Sequence, residues 1–382
     1  MNKRLTIAAI VAAATIGEGV FAVPYIIQNS GWAVTFGYFI AVIALVSVAH
    51  ILYLRTLAST DEKERLLGLA RNYFGAPGFW TGFVAIVVGL LLSSVAYLVL
   101  GSQFLQILFP GIAPAAALAV FWALLAILVW GSEGGIAWFE ATGIALVSIA
   151  ILFIFFSGHP GTAFASLPLA VPENFFLPFG VVIFALAGWT CVEPVYELAY
   201  RKGDDRGAKS AKSGEKPLAL PGAFWLFALG TAFAGLLYWL FAAGVIGTTG
   251  SQMTADTVSG IAAWPLWRKD ILAAIGLLSV CVVSVPIARE IRGAMEKDLG
   301  WNSTVSRSVI VLLPLAAVLS GFNNFLAIIG LAGGVFISTQ YLLIISVGRR
   351  TLALAQREKI LLDVVAVVFI CAAVYEIWHF VV

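Results

Sequence analysis

The chain has 382 residues, of which 61% are hydrophobic and 11% charged, far from the composition of a water-soluble globular enzyme. At about 20 apolar residues per membrane-crossing helix, that content supplies roughly eleven crossings and leaves little for a domain outside the bilayer. A net charge of +2 from 22 basic and 20 acidic residues gives no basis for binding nucleic acid.

In chain order, apolar runs bounded by Pro, Gly and charge clusters read as spans at 5–27, 31–56, 79–108, 113–131, 135–157, 176–199, 222–248, 270–292, 304–320, 323–346 and 358–380. Span 1 follows Lys3-Arg4 and passes Ala12-Ala13-Ala14, the outline of a cleavable signal. Apolar residues resume through Val20, Phe21, Ala22 and Val23, so it is read as a retained helix. Between spans 2 and 3, Ser59 followed by Glu62 has capping-box spacing and leads into Leu66, Leu67, Leu69 and Ala70, which predicts a short interfacial helix. The polar stretch within 200–221 reads as a flexible cytoplasmic linker. Cys191, Cys281 and Cys371 lie far apart in apolar runs and read as packing residues.

Basic residues orient the helices. With the N-terminus inside, 20 of the 22 Lys and Arg fall on the inner side, and only Arg268 and Lys269 fall outside. The expected architecture is therefore an all-α polytopic membrane protein with eleven transmembrane helices, N-terminus in and C-terminus out.

Two spans carry faults. Span 1 holds Thr15-Ile16-Gly17-Glu18-Gly19 at mid-depth with Pro24 beyond, and span 6 holds Ala187-Gly188-Trp189-Thr190-Cys191 with Glu193-Pro194 beyond. Glycine weakens a helix, and an ionised carboxylate is expensive at that depth. The spans are five helices apart and so run in opposite directions, the arrangement of an inverted repeat whose broken first helices meet near the midplane. The expected division is 1–157 for the first five-helix repeat, 158–175 for an extracellular loop, 176–346 for the second repeat and 347–382 for the eleventh helix. Gly89-Leu90-Leu91-Leu92-Ser93-Ser94-Val95 in span 3 echoes Gly276-Leu277-Leu278-Ser279-Val280-Cys281-Val282 in span 8.

At each break, free amides present the positive end of a helix dipole and free carbonyls the negative end. A zwitterionic amino acid matches both, its carboxylate on the amides of Gly17, Glu18 and Gly19 and its amine on carbonyls near Ala185 and Ala187. Tyr97, Phe184, Gly188 and Trp189 are expected to complete the pocket and to favour an apolar or aromatic side chain. Glu18 is the leading candidate for carrying a proton or pairing with the substrate amine, and Glu193 is a second proton candidate. Glu140 is a further coupling candidate near a loop, and His50 reads as a packing histidine. A sodium site would draw on span 1 carbonyls with Ser279 and Ser284 of span 8. No resident metal or cofactor is expected, because His50, His159, His379 and the cysteines do not cluster.

The segment Gly17-Glu18-Gly19-Val20-Phe21-Ala22-Val23-Pro24-Tyr25 followed by Ser30-Gly31-Trp32 resembles the first helix of the amino acid/polyamine/organocation (APC) permeases. The likeness is strongest to the amino acid and auxin permease branch and the bacterial aromatic amino acid permeases. Phe184-Ala185-Leu186-Ala187-Gly188-Trp189 with Glu193-Pro194-Val195-Tyr196-Glu197 is similar to that family's sixth helix. The resemblance implies the LeuT-type fold and ion-driven symport of a neutral amino acid by alternating access. Proton coupling is expected ahead of sodium, in a prokaryotic cytoplasmic membrane. A sodium-coupled symporter and a non-transporting ligand sensor on the same scaffold are the alternatives.

Overall fold

The computed structural model describes residues 3–60, 65–131, 136–158, 161, 164–165, 167–198, 223–250, 254, 261 and 264–381. These residues are almost wholly helical. Seven helices are long and apolar enough to cross a membrane: Trp32–Ser59, Leu66–Leu108, Pro178–Tyr196, Ala223–Thr249, Leu266–Asp298, Phe325–Thr351 and Gln356–Val381. An eighth unit is the pair Arg4–Thr15 and Glu18–Ser30, bent by 56°. Pro114–Trp130, Thr142–Ser157 and Ser303–Leu319 are shorter apolar helices. Each lies where a span is read from the sequence, and span numbers are kept below.

The linker within 200–221 and most of its flanks lie outside the described residues. Span 2 runs to Ser59, so Ser59 ends a helix instead of capping the next one as expected, and Glu62 of the expected capping box lies outside the described residues. Ser59 closes a helix, and its hydroxyl donates back to the Thr56 carbonyl at 2.9 Å. The next helix starts at Leu66 with Arg65 at its N-cap, and it turns into span 3 at Gly75, whose φ of 62° needs a residue without Cβ.

Large apolar side chains face outward on the peripheral helices, among them Val120, Ile127, Leu146, Ile149, Val364, Val367 and Val374. A surface this apolar fits hydrocarbon rather than water. Inside, span 3 packs along span 8, the first half of span 1 along span 7, and the first half of span 6 along spans 2 and 10. One end of the bundle is closed by the turn between spans 1 and 2, which meets the stretch before span 6. Val171 N–H donates to Ser30 O at 3.0 Å, and Trp32 N–H donates to Pro168 O at 3.1 Å. Gly31 is required there, since a Cβ would lie 2.5 Å from Ala170 Cα.

Candidate functional site

Span 1 stops being an α-helix at Thr15. Gly17 is extended, Glu18–Ala22 form one 3₁₀ turn, and Val23–Ser30 resume the helix. Span 6 repeats the pattern: Pro178–Leu186 is helical, Ala187 and Gly188 are not, and Trp189–Cys191 form a 3₁₀ turn into Val192–Tyr196. The two meet closely, because a Cβ on Gly19 would lie 2.7 Å from Ala185 Cα and one on Gly188 would lie 2.8 Å from Thr15 Oγ1. Small residues at both crossings let the backbones touch.

Breaking a helix in a dry interior exposes backbone groups that must find partners. Tyrosine hydroxyls from other spans supply them. Tyr238 of span 7 donates to Thr15 O at 2.6 Å and accepts the Gly17 N–H at 2.7 Å, bridging the first break. Tyr341 of span 10 accepts the Gly188 N–H at 3.4 Å, and its oxygen lies 3.0 Å from His50 Nε2. His50 thus stands behind the second break. Trp189 is fixed as well: its Nε1 donates to Gln340 Oε1 at 2.5 Å, while Gln340 Nε2 donates to Ala85 O at 2.7 Å, in the π-helical turn Val84–Val88 of span 3.

Gly17, Glu18, Gly19, Tyr97, Phe184, Ala185, Ala187, Gly188 and Trp189 all line one cavity between the breaks, together with Ser93, Tyr238, Val283 and Gln340 among others. Its enclosed volume is about 60 Å³, below the range of about 300–1,000 Å³ for small-molecule pockets, so it must widen to take a ligand. Glu18 is 3% exposed. Its carboxyl is hydrogen-bonded by the Tyr97 hydroxyl and by its own backbone N–H, and Oε2 is buried without a partner among the described residues. Among the described residues, no Lys, Arg, His or Asp lines the cavity.

The expected amide cradle is therefore corrected in part. The Gly17 amide is held by Tyr238 and the Glu18 amide by its own side chain, so the end of the break presents a carboxyl group rather than three free N–H groups.

Three expected ion-coupling residues lie elsewhere. Glu193 accepts the Tyr53 hydroxyl at 2.9 Å and pairs with Arg65 Nε at 3.0 Å, and the same guanidinium reaches Glu290 at 3.1 Å. This cluster ties spans 2, 6 and 8 to the start of span 3 at the end of the bundle away from Gly31. Burial disfavours the charge on Arg65, but Glu290 and Glu193 outweigh it and hold its pKa above the ordinary value. Ser284 donates to Val280 O at 2.6 Å and faces a smaller cavity with Trp122 and Pro314, and Ser279 is buried outside the main cavity. The span 8 residue facing Gly17 is Val283, 3.5 Å from the position of a Cβ. The Glu140 side chain falls outside the described residues.

Solved structures share this overall fold. A Na⁺-coupled sialic acid symporter in a substrate-bound outward-open state superposes with a TM-score of 0.59 at 14% identity, over 88% of this chain and 78% of that one. Mhp1, a nucleobase-cation-symport-1 family transporter in a closed conformation with bromovinylhydantoin bound, gives 0.57 at 14% identity over 98% and 91%. A manganese transporter of Eremococcus coleocola gives 0.57 at 12% identity over 97% and 93%. The fold is one that these transporters share. The sequence pattern of the tryptophan/tyrosine permease family matches residues 1–185, just under half the chain, ending at the residue of span 6 that touches Gly19. No curated protein matches the sequence significantly.

Proposed function

We propose that the protein is a secondary transporter that carries an aromatic amino acid of the tryptophan or tyrosine class together with a proton, by alternating access around the two breaks. The observation that carries this reading is the buried Glu18 carboxyl, in a cavity walled by Tyr97, Phe184 and Trp189, with one oxygen unpartnered and no basic side chain beside it among the described residues. The substrate ammonium donates a hydrogen bond to that oxygen, which accepts whether Glu18 is ionised or neutral, and the aromatic ring lies among the aromatic walls. A zwitterion beside an ionised Glu18 would leave a net negative charge in a low-dielectric site, and a proton arriving with it removes that cost. Val283, standing where a sodium site would need a span 8 hydroxyl against span 1, favours the proton over sodium.

In this reading the seven long helices, the bent pair and the three shorter helices are eleven crossings of a prokaryotic cytoplasmic membrane, N-terminus inside. Residues 1–157 and 176–346 are the inverted repeats, 158–175 is an outer loop, and 347–382 is an added helix. The packing supports the repeat: span 1 on span 7 is matched by span 6 on span 2, and span 3 on span 10 by span 8 on span 5. The Arg65–Glu193–Glu290 cluster closes the inner side.

Uptake of labelled tryptophan and tyrosine by purified protein in liposomes, under imposed proton or sodium gradients, tests the proposal. Accumulation driven by an inward proton gradient is expected. Accumulation driven by sodium alone, or none of either amino acid, refutes it.

A further inference from the structure

A second buried carboxyl lies outside the cavity. Glu376, on the helix Gln356–Val381, is 7% exposed. Its Oε1 accepts the Gly180 N–H at 3.2 Å, and Gly180 is the third residue of the helix Pro178–Leu186, where a helix leaves its amides unpaired. Three glycines make room for the side chain. A Cβ would lie 2.2 Å from Oε1 at Gly180, 3.0 Å from Oε2 at Gly330, and 2.0 Å from Cγ at Gly334. The carboxyl thus fills a notch where the first half of span 6 meets span 10. Gly180 is one helical turn from Phe184, a wall of the cavity.

A glutamine would make the same hydrogen bond, so what glutamate adds is a proton that can leave. The elements packed against Glu376 offer no counter-charge among the described residues. Pro178–Leu186, Phe325–Leu331 and the turn Ala332–Ile337 contain no ionisable side chain. On Ser338–Thr351, Tyr341 stacks on Phe369, and Arg349 is paired with Asp363 at the far end beside Arg350. On its own helix, Tyr375 stacks on His379, Glu358 pairs with Arg55, and Asp363 with Arg349. A carboxylate in this notch has one N–H and a half-helix dipole against the loss of its hydration, so the closed packing favours the neutral acid. Water entering as the half-helix moves away favours the ion.

We propose that Glu376 is a proton-responsive positioning residue: protonated, it holds the first half of span 6 against span 10, and ionised, it releases it. The eleventh helix, outside the two repeats, would then set how readily one side of the cavity opens. The inference rests on the alternating-access reading above.

The test is a distance measurement in nanodiscs without substrate. Spin labels replace Phe176 and Asn323, which are exposed beside the two half-helices, in a background where Cys191, Cys281 and Cys371 are serine. Raising the pH from acid to alkaline should raise the ratio of long to short distances about threefold or more in the parent and in Glu18→Gln. The ratio should stay flat in Glu376→Gln and in Gly334→Ala, whose Cβ expels the carboxyl; the second variant covers the case in which the first does not fold. A parent ratio indifferent to pH, or a Glu376→Gln ratio that follows pH as the parent does, overturns the inference. Adding tryptophan separates the two claims: a tryptophan-induced change in distance in the parent keeps the transport reading even where the pH response fails.

Discussion

Replacing Gly19 with alanine should drive spans 1 and 6 apart. The added Cβ would lie 2.7 Å from Ala185 Cα and 2.8 Å from Ala185 Cβ, against an ordinary carbon contact of about 3.5–4.0 Å, so the backbones must part by roughly 1 Å. Overpacking of this kind costs about 1–3 kcal/mol. The cost falls only on conformations in which the two breaks touch, and not on those in which they have separated. Occupancy of the closed cavity should then fall about 5- to 150-fold relative to open forms. The assay is initial tryptophan uptake by the reconstituted variant at matched insertion, with Gly37→Ala as control, since nothing lies within 4 Å of a Cβ there. Uptake by Gly19→Ala should drop about fivefold or more while Gly37→Ala stays near normal. Gly17→Ala, whose Cβ makes only ordinary contact with Val283, should lose less than Gly19→Ala. Normal uptake by Gly19→Ala would refute the reasoning, because the contact between the breaks would then be dispensable.

Glu18→Gln should abolish accumulation driven by a proton gradient while retaining exchange of internal for external substrate, measured by counterflow; gradient-driven accumulation in the variant would remove Glu18 from coupling. Competition against labelled tryptophan should be strong for tryptamine and weak for indole-3-propionate, since the pocket offers a carboxyl and, among the described residues, no basic side chain; the reverse order would contradict the assigned amine contact. Tyr238→Phe strips the partners from the Thr15 carbonyl and the Gly17 amide, so thermal unfolding should show a loss of about 1–3 kcal/mol; an unchanged midpoint would mean the break is capped by something else. Arg65→Gln leaves the Glu193 and Glu290 carboxylates facing each other. With Cys281 and Cys371 replaced by serine, the buried Cys191 should then react several-fold faster with a water-soluble thiol reagent, and an unchanged rate would show that the cluster holds nothing shut.

The breaks were legible because they are exceptions in an apolar chain. Gly17, Gly19 and Gly188 interrupt helices that every neighbouring residue favours, and Glu18 is out of place at that depth. What caps the breaks was not legible. Tyr238 and Tyr341 come from spans distant in sequence, and tyrosine within a helix carries no mark of the backbone group it will meet. The serine pair shows the opposite failure. Ser279 and Ser284 are five residues apart, and at about 100° per residue they point some 140° away from each other, so one ligand site could not draw on both. Ser59 has the spacing of a cap but belongs to the last turn of span 2, because the helix runs on until its hydrophobic contacts end. Glu376 offered a readable signal, a carboxylate inside an apolar span, and only the glycine notch explains what it does there.

The central claim is that substrate sits between the two breaks with its amine on Glu18. A structure of the protein solved with tryptophan bound tests it most directly. The ammonium group should lie within hydrogen-bond distance of Glu18 Oε2, with the indole against Phe184 and Trp189. Tryptophan seated outside this cavity, for instance in the apolar pocket of Leu92, Phe322 and Phe380, would contradict the account.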